Sequence, residues 1–498
     1  MAILFRRSGN ALQLKWLTDS SQIVDIPPEV ATKARLAFKY TLKTAVPSRR
    51  GLQFEYHPVY MIQYQNGGLL TSYGLTNDLI TWCKGEGLEV AFQELTPPEK
   101  NSLLLKPDWS VLSNYQLRNR QEECLKAIVE RKHGIIDAPV GFGKTFLMGV
   151  LTQIYPKAKF HIVTKAVAIA NRIYKDLLRV TSDVGMIGGG KNITGKRITV
   201  ITADSLKKSD GDADFLIWDE AHQAAASTYS TLLLRIYRYS RNYGFTATPT
   251  GRSDGSDPVL KMLFGDTIFE MKYDEAKDRG LVVPVSVRWL TCKDVLPTAL
   301  NYSNRVSLER HAIWRNKFRN QLIAEDVRKI SNDDSVLILV GKVEHAVNLA
   351  KELPEFTLVY GSMSDEDCDW YKRQKLLSED YKPINAKERE ALKEAFRDGK
   401  IKKVIATDVW NTGVDFPDLR YVYNVSARGS SILTTQGAGR VSRIASGKFN
   451  GTVIDIVDDF PDNGHCFYTS AVKRYKKYSE LGWKQEGFNG GKVKGSGR

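Results

Sequence analysis

Two groups of residues combine reactive types at a workable spacing. The first is Ala138-Pro139-Val140-Gly141-Phe142-Gly143-Lys144-Thr145, which follows the apolar run Gly134-Ile135-Ile136 and precedes Phe146-Leu147-Met148. A phosphate chain is bound mainly by backbone N–H groups in a tight turn, where a side chain at Gly141 or Gly143 would intrude. A helix start behind the loop adds its unpaired donors and its positive dipole end. Lys144 can then set an ammonium on the outer phosphates, and the Thr145 hydroxyl can ligate Mg²⁺. Ala138 stands where the usual pattern has its first glycine, and a plain glycine-bearing turn has the same spacing. The second group, Asp219-Glu220-Ala221-His222, ends the apolar run Phe215-Leu216-Ile217-Trp218. Two carboxylates at a strand's end suit ATP hydrolysis beside such a loop, Asp219 holding Mg²⁺ and Glu220 orienting or deprotonating water. Acids also gather at ordinary helix starts, so the tetrad takes its weight from the loop ahead of it.

These groups need strands that end where the chemistry is. Apolar runs alternate with helical stretches at Phe160–Val163, Ile198–Ile201 and Phe215–Trp218, and again at Val336–Val340, Thr357–Tyr360, Val404–Ala406, Tyr421–Tyr423 and Thr452–Ile456. Uninterrupted apolar strands between helices imply parallel sheets covered on both faces. Residues 1–106 read differently, as short strands mixed with helices over Glu29–Tyr40 and Thr76–Gly85. The expected fold is α/β, with a small N-terminal α+β domain (1–106), two sheet domains (107–285 and 286–470) and a basic tail (471–498). The polar run Thr96–Ser102 serves as the first linker.

With 498 residues and a net charge of +15, the chain can hold several cores and favours a polyanionic partner. No apolar run reaches the ~18 residues of a membrane span, and Met1–Arg7 lacks a signal peptide's apolar core, so a soluble, intracellular protein without membrane contact is expected. Cys83, Cys124, Cys292, Cys368 and Cys466 lie too far apart for a C-x-x-C zinc site and read as free thiols.

Taken in order, Ala138–Thr145, Asp219–His222, Thr246-Ala247-Thr248, Ala406–Asp415 and Gln436–Arg443 resemble the motifs of the superfamily 2 helicases. The resemblance covers about Tyr115 to Asp459. It implies two RecA-like domains in tandem with ATP in the cleft between them. It also implies that Gln121 reads adenine, although Arg120 replaces the aromatic neighbour usual there. Ala138, Gly141, Gly143, Lys144 and Thr145 would hold the nucleotide from the first domain, and Gly413 and Asp415 from the second. Gln436, Arg440 and Arg443 resemble the last motif, whose arginine reaches the γ-phosphate; a guanidinium fork suits charge that grows in the transition state. His222, Thr246 and Thr248 fall where the family couples hydrolysis to nucleic acid. Lys165 and Arg172 resemble a segment that lies on a phosphate backbone, with Lys191, Thr202 and Thr407 as further candidate contacts. For the three cations, a solvated surface explains the residues equally well.

In the first fifty residues Arg6, Arg7, Lys15, Lys33, Arg35, Lys39, Lys43, Arg49 and Arg50 stand against only Asp19, Asp25 and Glu29, an asymmetry suited to a duplex or junction backbone. The stretch Leu69–Ile80, with Gly87–Val90 after it, resembles the close of the N-terminal domain in bacteriophage UvsW helicases. That implies a phage-type enzyme that remodels forked or branched DNA in recombination, repair or replication; a monomer is expected. An RNA helicase, a duplex-DNA translocase subunit and an ATP-gated clamp remain alternatives; the complete set of Glu220, Arg440 and Arg443 speaks against the clamp. Two departures stand out. The polar segment Ser364–Asn385 is either a surface insertion or a strand-separating element. From Ala471, basic residues interleave with Tyr475, Tyr478 and Trp483, as a single-strand contact or a packed helix would.

Overall fold

The computed structural model describes residues 2–48, 51–95, 105–118, 120–237, 239–247, 254–410, 416–428, 439–461 and 465–491. The chain divides into two compact units, 1–44 with 55–271 and 45–54 with 272–498.

The first unit begins with strands β1 (Ala2–Ser8), β2 (Ala11–Leu17), β3 (Ile23–Val24), β4 (Lys39–Ser48), β5 (Gly51–Tyr60), β6 (Gln63–Gln65), β7 (Gly68–Ser72) and β8 (Glu89–Glu94), except that residues 45–54 of β4 and β5 belong to the second unit. They form a sheet in the order β6-β7-β2-β1-β8, with β3 on β2, and a separate β4-β5 hairpin. Strand β2 alternates buried Leu12, Leu14 and Trp16 with outward residues, the period of a sheet covered on one face. Helices Pro28–Ala37 and Thr76–Gly85 provide that cover through Ala31, Ala34, Leu79 and Cys83.

The same unit continues with β9 (His133–Asp137), β10 (Phe160–Thr164), β11 (Val184–Gly188), β12 (Lys191–Ile193), β13 (Ile198–Thr202), β14 (Phe215–Asp219), β15 (Arg241–Thr246) and β16 (Thr267–Glu270). Their order is β12-β11-β13-β10-β14-β15-β9-β16, and every pair except β11-β12 is parallel. Strands β10, β13 and β14 are buried along their whole length, as expected of a doubly covered sheet.

In the second unit β17 (Val285–Cys292), β18 (Val336–Leu339), β19 (Thr357–Val359), β20 (Lys403–Ala406), β21 (Tyr421–Asn424), β22 (Gly451–Asp458) and β23 (Lys484–Glu486) make a parallel sheet in the order β19-β20-β18-β21-β22-β17-β23. The boundary expected at 470 falls inside the helix His465–Glu480, and the residues beyond it return to the sheet as β23 beside β17. Tyr478 and Trp483 are buried and stacked at 5.4 Å, so these aromatics serve the core and offer no stacking platform. Arg474 in this helix is also buried, held by Asp455, which also accepts from Tyr478 Oη at 2.8 Å and Asn424 Nδ2 at 3.0 Å. A buried charge persists only when paired and hydrogen-bonded in this way. Lys492 and Lys494 of the expected tail lie outside the described residues.

Segment 364–385 is a layer packed on this unit. Ser364 caps the helix Asp365–Arg373, Cys368 and Tyr371 are buried, and Tyr381 Oη meets Tyr360 Oη at 3.0 Å. Three of its acids, Asp365, Glu366 and Asp367, lie in the helix's first turn, where they complement the dipole.

Candidate active site

The loop leaves β9 and closes on the helix Lys144–Ile154 through Gly143, whose φ of +92° lies in the left-handed region; Gly141 has φ +96°. Both conformations cost a side chain dearly. At Gly143 a Cβ would also come within 2.7 Å of Gln121 Nε2. Gln121 is buried beneath the loop, donating Nε2–H to the Phe142 carbonyl at 2.6 Å and accepting the Arg118 N–H at 2.8 Å. The amide therefore clasps the loop from behind. Removing the clasp strands a buried carbonyl, so Gln121→Ala is expected to cost roughly 1–3 kcal/mol of stability. A urea denaturation midpoint equal to that of the unaltered chain would rule the clasp out.

Arg120 fills the place of the usual aromatic by a different contact. Its guanidinium lies 4.8 Å from the Phe269 ring, which stacks on Phe142 at 5.2 Å, and it donates to the Glu270 carbonyl at 3.0 Å. Phe269 carries no signal in the sequence, because an apolar residue in a strand reads as core. Ala138 suits its position: it is fully buried, and its N–H donates to the Thr246 carbonyl at 3.0 Å. Lys144 Nζ donates to the carbonyls of Ala138 at 2.9 Å and Pro139 at 3.4 Å. Thr145 follows in the first turn of the helix, half-buried.

Strand order brings the two reactive groups together. β14 neighbours β15, β15 neighbours β9, and all three run parallel, so Asp219, Thr246 and the loop emerge at one edge. Asp219 is 7% exposed, and burial, with Glu220 as a like-charged neighbour, pushes its carboxyl up to about 7 against the pull of the Lys144 ammonium. A carboxylate so disfavoured is one that a nearby cation stabilises strongly. Glu220 has φ +56°, a conformation worth roughly 1–3 kcal/mol of strain in a residue other than glycine. That turn sets its carboxylate 3.4 Å from buried His222 Nδ1, which lies 3.3 Å from Thr246 Oγ1. A polar chain thus links the second carboxylate to the neighbouring strand.

The remaining candidates are more scattered. Lys165 and Arg172 are exposed, Arg172 beside Asp176 at 3.8 Å, while Lys191 Nζ lies 4.4 Å from the Tyr174 ring centroid. Thr202 is buried and donates to Ser205 Oγ at 3.0 Å; Thr407 is buried in the second unit. Arg440 is buried in the turn Gly439–Ser442, whose Ser442 carbonyl accepts the Val283 N–H at 2.8 Å, and Arg443 follows half-buried. Thr248, Gly413, Asp415 and Gln436 lie outside the described residues.

Left-handed glycines, a lysine at a helix start and a buried carboxylate beside it form a donor set that fits a magnesium-bound triphosphate. Residues 114–251 match the family model of the type III restriction enzyme res subunit, and residues 318–445 match the helicase conserved C-terminal domain. The chain is 24% identical over 380 residues to the DNA 3'-5' translocase XPB2 of Sulfurisphaera tokodaii, covering 69% of this chain and 82% of that protein. It aligns with the T4 UvsW structure over 97% of this chain and 98% of that one, at 14% identity and a TM-score of 0.42. Its fold is shared with S. cerevisiae Dbp5 bound to RNA and ADP BeF3, at 15% identity and a TM-score of 0.52, over 78% of this chain and 95% of that one. Among the described residues, no helix is long and apolar enough to cross a membrane. Two family models in the order the motifs require, each with a parallel sheet of its own, place the chain in superfamily 2 of the helicases, as an ATP-dependent hydrolase with tandem RecA-like domains.

Proposed function

We propose that the chain is a monomeric, magnesium-dependent DNA motor that unwinds or remodels branched DNA such as forks and four-way junctions. The observation that supports this reading is the seating of the basic N-terminal module on the loop-bearing sheet. Asn10 donates to the carbonyls of Tyr237 at 2.7 Å and Ser240 at 3.0 Å, and Lys261 bridges Asp78 of the module and Asp266. A Cβ on Gly74 would come within 2.3 Å of the Lys261 carbonyl, so the two surfaces touch backbone to backbone. DNA held on the module is then fixed relative to the nucleotide loop. One arm can be held while another is moved, an arrangement that a branch offers and a lone strand does not.

In this reading the loop amides and Lys144 bind the phosphates, and Thr145 and Asp219 hold the metal. Bound there, magnesium supplies charge neutralisation at the phosphates. Glu220 orients the attacking water, with His222 fixing its carboxylate and passing its position to Thr246. Arg440 and Arg443 neutralise charge on the transferred phosphoryl group, Gln436 adds a neutral hydrogen-bonding amide from the same motif, and Gly413 and Asp415 are nucleotide contacts. Lys165, Arg172, Lys191, Thr202 and Thr407 contact the DNA backbone.

A second reading, a translocase on plain duplex DNA, is favoured by the chain's similarity to the DNA 3'-5' translocase XPB2. Steady-state ATPase with single-stranded DNA, duplex, four-way junction and structured RNA separates the two. The junction is expected to stimulate hydrolysis several times more than a duplex of equal length. Equal stimulation by duplex would favour the translocase, and stimulation by RNA alone would reject both.

A further inference from the structure

The N-terminal module holds a cleft that the motor residues do not use. Where the chain bends between β5 and β6, an open space of about 400 Å³ is lined by Arg35, Pro58, Val59, Tyr60, Ile62, Gln63 and Tyr64, with no carboxylate among the described residues that line it. Arg35 reaches it from the helix Pro28–Ala37, its guanidinium 4.8 Å from the Tyr60 ring centroid. Its Nε is buried without a hydrogen-bond partner among the described residues, so an aromatic face, and no acid, holds the charge in place. Three other cations of the module are matched by acids, Lys15 by Asp25, Lys33 by Glu86 and Arg7 by Glu94. Ile62 is fully buried, whereas Tyr64 keeps 46% of its surface exposed on β6, an edge strand of the module's sheet. Beside it Gln63 is exposed, with donors and an acceptor on one amide.

An open aromatic face can stack a base, a guanidinium without an acid partner can take a phosphate, and an amide can meet a base edge. We propose that it binds one unpaired nucleotide of the DNA substrate, an inference that rests on the branched-DNA reading and deepens it. Paired bases keep their faces stacked within the helix, so Tyr64 can accept a base only where strands have separated. The module then recognises the branch itself, at the point where unpaired and paired DNA meet.

The test uses fluorescence anisotropy of the full-length chain with a fork bearing single-stranded arms and with a blunt duplex of the same length. Tyr64→Ala and Arg35→Gln are expected to weaken fork binding about tenfold and to leave duplex binding within about twofold. Tyr64→Trp, which keeps an aromatic face, should bind the fork as the unaltered chain does and shows that position 64 tolerates substitution. Phe92→Ala, on the opposite edge strand β8, should change neither. Unchanged fork binding in both cleft variants would overturn the proposal. So would an equal loss on the duplex, which would make the cleft a general charge contact. Failure of a fork or junction to stimulate the unaltered chain's ATPase would instead count against the branched-DNA reading, so the two failures are distinguishable.

Discussion

Lys144→Ala is expected to lower DNA-stimulated ATP hydrolysis by about 10²- to 10³-fold while DNA affinity stays within about twofold. The Lys144 ammonium is held against the carbonyls of Ala138 and Pro139, so its removal takes charge from the loop without opening a core cavity. Alanine is the best helix former, and the helix Lys144–Ile154 should keep its start. The loss reaches further than one contact, because Lys144 is also the main cation opposing the burial of Asp219. Without it that carboxyl is pushed further toward its neutral form, which binds metal poorly. Lys144→Arg should not restore activity, since a planar fork cannot occupy the place of a compact ammonium. Steady-state ATPase and fluorescence anisotropy on one preparation check both halves of the expectation. Normal hydrolysis in the alanine variant would remove the loop from the mechanism.

Glu220→Gln is expected to retain ATP and slow its hydrolysis by about 10²- to 10⁴-fold, the range of a lost general base. The substitution separates charge from shape. Glutamine can adopt the same turn at φ +56° and keep a polar contact to His222, now 3.4 Å from the carboxylate, but cannot take a proton from water. It also removes the like charge beside Asp219, which eases ionisation of that carboxyl. Single-turnover hydrolysis, read beside equilibrium binding of a fluorescent ATP analogue, separates the two steps. Loss of nucleotide binding with an unchanged chemical rate would reject the role given to Glu220.

The parallel strands were legible because burial on both faces leaves an unbroken apolar run, as at Phe160–Val163 and Phe215–Trp218. The turn after β9 was legible because glycine suits the left-handed backbone at 141 and 143. The C-terminal segment was less so. A helix with Lys473, Arg474 and Lys476 beside Tyr475 and Tyr478 has the composition of a nucleic-acid contact, and composition does not state which side chains turn inward. Burial of Arg474 against Asp455 depends on a partner 19 residues away in another element. The insertion at 364–385 was ambiguous for a related reason. Its acids are on the surface and its Cys368 and Tyr371 are in the core, a split that only the packed helix displays.

By itself the sequence determined the reactive groups: a lysine at a helix start, glycines in the loop before it, two carboxylates at a strand end, and arginines in a later motif. These are local patterns, set by what a few neighbouring backbone and side-chain groups can do. Tertiary structure alone decided which of them meet. It placed β14, β15 and β9 side by side, turned Gln121 into a clasp, replaced an aromatic contact by Arg120 on Phe269, and set Arg35 over Tyr60 in a cleft. Each of those contacts joins segments distant in the chain, and a contact between distant segments is fixed by sheet order and burial rather than by the identity of adjacent residues.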